Sequence, residues 1–141
     1  MLRALGRDAY VVRATRVDAM YGLTRLMSRA LAAGGALDVP TLALYGQRDE
    51  IVPPAPTTKL WQRMGNGNGR SFALYRRGWH MLLRDLQAPT VWSDVAAWIA
   101  NDGRGPLPSS ADARAEAALS NGGIRSLPRP ERIRAGVPPP G

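Results

Sequence analysis

The chain has no cysteine, one histidine, one phenylalanine and, among its 19 basic residues, one lysine, Lys59. The absence of cysteine excludes disulfide staples and thiolate metal ligands, and it leaves the redox compartment undetermined. A lone histidine, His80, makes a metal centre an unfavourable reading, and no cofactor is expected. No apolar run approaches the roughly 20 residues of a membrane span, so no transmembrane segment is expected. The N-terminus shows no charged leader followed by an apolar stretch, which leaves localisation open.

What is present suits a packed domain: 141 residues, 45% apolar and 21% charged. The formal net charge of +8 would ordinarily raise nucleic acid or an anionic surface as a partner. The arginines are scattered singly or in pairs, however, and charge without a block or stripe is weak evidence. No specific nucleic-acid partner is expected.

Composition divides the chain into three parts: an N-terminal segment over residues 1–14, a folded portion over 15–101, and a low-complexity tail over 102–141. In the first part Tyr10-Val11-Val12 is the only apolar cluster. Thr15 and Asp18 have capping-box-like spacing, and Val17, Met20, Leu23, Met27, Ala30 and Leu31 then recur at helical steps until Gly34-Gly35. Such a Met and Leu stripe is read as core, although it would also suit an acyl-binding cavity. The tail is rich in Pro, Gly, Ser, Ala and Arg and is expected to be largely disordered, apart from one Ala-rich helical stretch, Ala111 to Leu119.

The most informative stretch runs from Asp38 to Pro54. Thr41 to Tyr45 is apolar without alternation, as in a parallel strand covered on both faces, and Pro40 stands at its start, where a missing N–H costs least. Gly46 permits a sharp exit and sets Asp49 just beyond the strand's carboxyl end, where open α/β sheets gather catalytic groups. Pro53, Pro54 and Pro56 then lead to a helix capped by Thr57 or Thr58 and running through Leu60, Trp61 and Met64. After a Gly/Asn turn at 65–69, Arg70 to Tyr75 reads as a second strand, with Phe72 and Leu74 on one face and Ala73 and Tyr75 on the other. Strand, helix, strand at this spacing is a parallel crossover unit, so both strands end at the same edge. That edge receives Asp49 from the first strand and His80 from the second. A final helix from Thr90 carries Val91, Val95, Trp98 and Ile99 on one stripe, and Asn101-Asp102-Gly103 ends it.

The pattern Val39-Pro40-Thr41-Leu42-Ala43-Leu44-Tyr45-Gly46-x-x-Asp49-x-Ile51-Val52-Pro53, followed by Tyr75-x-x-Gly78-Trp79-His80-Met81-Leu82-Leu83-x-Asp85, resembles the carboxyl-terminal half of α/β-hydrolase serine enzymes. Monoacylglycerol lipase and lysophospholipase-like members are the nearest in appearance. The resemblance implies a partial α/β-hydrolase fold in which Asp49 is the triad acid, His80 the triad base, and the helix before the acid strand comes from the cap. It implies hydrolysis of carboxylic, lipid-like esters through an acyl-serine intermediate.

The G-x-S-x-G elbow that holds the nucleophile in that family is missing from the chain. Gly69-Arg70-Ser71-Phe72-Ala73 imitates it poorly, because Ser71 follows Asp49 and enters a strand. The expectation is therefore a hydrolase fragment lacking roughly the first five or six strands and inactive alone, with a small-molecule ester as substrate once a complementary half is supplied. Self-association through an exposed strand edge is expected too. The alternative is a non-catalytic interaction module that keeps these loops for packing. Aspartate-nucleophile hydrolases such as dehalogenases and epoxide hydrolases also keep an acid and a histidine in their second half.

Overall fold

The computed structural model describes residues 14–65, 67 and 69–125; Tyr10-Val11-Val12 and the end of the tail lie outside the described residues. In chain order it contains α1 (Val17–Ala33), a 3-10 turn (Gly34–Ala36), β1 (Thr41–Gly46), α2 (Pro54–Met64), β2 (Arg70–Tyr75), α3 (Ala88–Ala100) and α4 (Ala111–Ser120). β1 and β2 pair in parallel, Thr41 opposite Arg70 and Gly46 opposite Tyr75, so their carboxyl ends coincide. This is the partial α/β-hydrolase arrangement expected from the sequence.

Alternation along β2 splits the core into two layers. Phe72 and Leu74 join Tyr45, Trp61 and Met64 on the α2 side, while Ala73 and Tyr75 join Val91, Leu82 and Leu107 on the α3 side. Trp61 is only 1% exposed and stacks on Phe72 with ring centroids 4.9 Å apart. An aromatic pair of that kind contributes on the order of 1 kcal/mol beyond its buried area. On the other layer Tyr75 donates its hydroxyl to the fully buried Asp94 at 2.9 Å, which gives that carboxylate a partner inside the core.

Several expectations are corrected. The Met and Leu stripe of α1 is not core: none of its residues is buried, and Met20 is 50% exposed. Helical periodicity reports an apolar face, but only a neighbouring layer can bury it. Among the described residues only α2 and the 3-10 turn touch α1 appreciably.

The helix starts also differ. α1 is preceded by Arg16, and Asp18 accepts from Arg16 and from the Ala19 N–H instead of completing a box with Thr15. α2 begins at Pro54, where a residue without an N–H suits the first helical position. The expected caps Thr57 and Thr58 therefore lie inside it. Ile99, expected on the packed stripe of α3, is exposed.

The ordered part of the chain does not stop at 101. Residues 102–125 fold back on the sheet, and α4 lies along β2 with Ala111 in one layer of the core and Ala115 in the other. Several of its anchors are polar, which is one reason composition hid them. Ser109 N and Oγ donate to Asp94, Arg114 Nε donates to Leu74 O at 3.1 Å, and Ile124 N donates to Thr58 Oγ1 at 3.0 Å. Leu107 and Ile124 each bury a side chain in one layer, and alanines supply the rest, their small side chains letting α4 approach β2 closely.

Candidate active site

Two loops leave the coincident carboxyl ends of the strands, and backbone bonds weld them together. Gln47 N donates to Tyr75 O at 2.9 Å and Arg48 N to Gly78 O at 3.0 Å. The two glycines make this approach feasible. A Cβ on Gly46 would lie 2.6 Å from the carbonyl atoms of Gly78 and from Trp79 O, a clash with backbone that no side-chain movement relieves. Arg48 also lies 5.9 Å from the centre of the Trp79 ring.

Within that junction Asp49 and His80, 31 residues apart in sequence, meet: Asp49 Oδ2 is 2.9 Å from His80 Nδ1. The other carboxylate oxygen, Oδ1, accepts from Ile51 N at 2.8 Å and Val52 N at 3.0 Å. The Asp49 side chain is 6% exposed and that of His80 47%. Burial pushes the Asp49 carboxyl up, but the bonds from Val52 N–H, His80 and Ile51 N–H and the charge of the imidazole outweigh it, and the net direction is down. The carboxylate is thus an ionised acceptor for a proton on Nδ1, and in the neutral ring that tautomer leaves Nε2 with its lone pair. Tyr45 closes the inner side, donating its hydroxyl to Val52 O at 2.7 Å. Burial and the charge of Asp49 push its phenol up to about 12, so it stays a neutral donor.

Chemically, such a pair can take a proton through Nε2 and stabilise the imidazolium that results. It needs a nucleophile to act on, and Ser71 is badly placed for that. It pairs with Leu42 near the start of β2, at the end opposite His80, and its hydroxyl accepts from Trp98 Nε1 at 3.2 Å.

Sequence reading found the two side chains but not their supports. The amides of Ile51 and Val52, the contact of Gly46 with Gly78, and the tie of Gln47 Nε2 to Arg125 O at 2.8 Å were beyond it. Ile51, Val52, Gly78 and Asp85 do stand in the family-like pattern without a role attached, and Gly46 stands there only as the strand's sharp exit. Asp85 accepts from Trp79 N at 2.8 Å and Gln87 N at 2.6 Å, bridging the histidine loop to α3.

An apolar hollow of about 340 Å³ lies between α1 and α2, lined by Met27, Leu31, Val52 and Leu60 among others. Val52 is shared with the Asp49 loop. Among the described residues no helix is long and apolar enough to cross a membrane.

A family model described as serine aminopeptidase, S33, matches residues 1–87 and so contains both loops. No curated protein and no solved structure matches the chain.

Proposed function

For a chain that belongs to the serine aminopeptidase S33 family of α/β-hydrolases, we propose the role of acid-and-base half of a serine hydrolase acting on carboxylic, lipid-like esters. The observation that carries this reading is the 2.9 Å approach of Asp49 Oδ2 to His80 Nδ1, with the second carboxylate oxygen held by two backbone N–H groups. Asp49 fixes the tautomer and orientation of His80. Nε2 removes the proton from a serine hydroxyl as it attacks the ester carbonyl and returns it to the leaving alkoxide; a water then repeats the sequence on the acyl-serine.

The serine and the oxyanion donors come from a complementary segment, since this sequence contains no G-x-S-x-G. The pair alone is inactive, because removal of nucleophile and oxyanion donors removes most of the rate enhancement. The open edge of β1 is where we place that segment, and in its absence the same edge drives self-association. The ester class is supported by the resemblance to lipase-like members. The apolar hollow beside Val52 is consistent with an acyl chain.

Co-expression with a segment carrying the elbow, assayed on short-chain esters and on aminoacyl amides, tests the proposal. Esterase activity that falls about a thousandfold or more in Asp49→Asn and His80→Ala is expected. Activity unchanged by either substitution would instead support a non-catalytic module, and faster cleavage of the amides would move the substrate class.

A further inference from the structure

The peptide unit joining Gly78 to Trp79 lies one peptide before the one that enters His80, and both of its polar ends are held. Its carbonyl accepts from Arg48 N at 3.0 Å, and its N–H donates to Asp85 Oδ2 at 2.8 Å. A peptide unit is a rigid plane, so fixing its oxygen and its nitrogen fixes the direction in which the chain enters Trp79, the residue that carries it into His80. One restraint comes from the loop that carries Asp49. The other comes from a carboxylate beyond the histidine in sequence. Buried Leu82 fills the space beneath, where a Cβ on Gly78 would collide with it.

Asp85 divides its two oxygens between two tasks. Oδ1 accepts from Gln87 N at 2.6 Å, and the backbone Asp85 O accepts from Ala88 N at 3.1 Å, which together form the turn leading into α3, whose N-cap is Gln87. Oδ2 plays no part in that turn and goes to the histidine loop alone. A residue needed only to begin a helix would require a single side-chain acceptor, which Ser, Thr or Asn supplies equally well.

We propose that Asp85 is a positioning residue for His80. It orients the Gly78–Trp79 peptide so that the imidazole presents Nδ1 to Asp49, and it does not itself touch the reacting atoms. This rests on the reading of Asp49 and His80 as acid and base, and it adds a second carboxylate that acts through the backbone.

The test uses the whole chain, whose single histidine gives one set of imidazole ¹⁵N signals. Asp85→Asn keeps an oxygen for Gln87 N–H but turns an NH₂ toward the N–H of Trp79, so it separates helix initiation from positioning. The wild type is expected to show the Nδ1-protonated tautomer. Asp85→Asn is expected to shift toward the Nε2-protonated form that free imidazole prefers, with unchanged far-ultraviolet circular dichroism. Should that variant lose helix content, Asp85→Ser makes the same comparison with a hydroxyl that still reaches Gln87 N–H. Retention of the wild-type tautomer in a folded variant would overturn the proposal and leave Asp85 as a helix starter. A wild type that already lacks the Nδ1–H form would instead sink the pairing of Asp49 with His80, and the two failures are told apart by which protein shows them.

Discussion

The outer edge of β2 is covered by α4, whose Arg114 donates to Leu74 O, whereas no strand lies beyond β1 among the described residues. Hydrogen-bond parity shows what the open edge exposes. Thr41 N and Gln47 N both donate toward β2, so the odd-numbered peptide groups of β1 face their partner and those of Leu42 and Leu44 face away. The contrast extends to the helices: α2 buries Thr58, Trp61 and Met64, while α1 buries nothing. Similar sequence patterns thus have opposite fates according to whether a second layer is present. An apolar strand with an unpaired edge is in general a template for another strand, and among the described residues it is the β1 side that has no strand beside it.

The largest test of this contrast is Trp61→Ala, which removes the aromatic centre of the covered side. It is expected to cost about 3 to 5 kcal/mol in chemical denaturation. A loss below about 1 kcal/mol would mean that the α2 layer is as loose as α1. Next comes Arg114→Ala, which leaves Leu74 O at the β2 edge without its donor. A loss of about 1 to 2 kcal/mol is expected, together with faster hydrogen exchange in α4.

A pH series adds a smaller effect at the rim of the sheet. The folded Asp49 carboxyl lies below its unfolded value of about 3.9, so it contributes stability above that pH and loses it as the pH falls through the folded value. Stability below about pH 4 should therefore fall less steeply in Asp49→Asn than in the wild type, which thermal melts at several pH values will show. The smallest change is predicted for Met20→Ser on the bare face of α1, within about 0.5 kcal/mol. Hydrogen exchange sharpens the same comparison without mutation: the Leu42 and Leu44 amides should exchange faster than those of Ala43 and Tyr45.

Much of this was legible in the residues, and the exceptions have physical causes. β2 is bounded in the sequence as in the structure, because its apolar alternation lies between a glycine turn and charged Arg76-Arg77. The meeting of Asp49 with His80 follows from parallel strands ending together, which the length of the crossover dictates. The fate of α1 was not legible, since amphipathicity specifies a face but not whether anything covers it. The fold-back of 102–125 was hidden because much of its hold comes from Asp94, Arg114, Thr58 and small alanines, while its buried bulky residues, Leu107 and Ile124, stand singly in stretches rich in Pro, Gly and Ser. Asp94 itself sits among the apolar positions of α3 and looks like a solvated charge until Tyr75 and Ser109 are found against it. Asp85 was visible, but a carboxylate that acts on a peptide plane has no pattern of its own.

The central claim is that the crossover delivers the imidazole of His80 to the carboxylate of Asp49. Its most direct test is the ¹⁵N and downfield ¹H spectrum of His80 in the wild type and in Asp49→Asn, recorded above pH 7. The expected result is a protected Nδ1 proton in the wild type that is lost, along with the fixed tautomer, in Asp49→Asn. Identical spectra for the two proteins would contradict the claim.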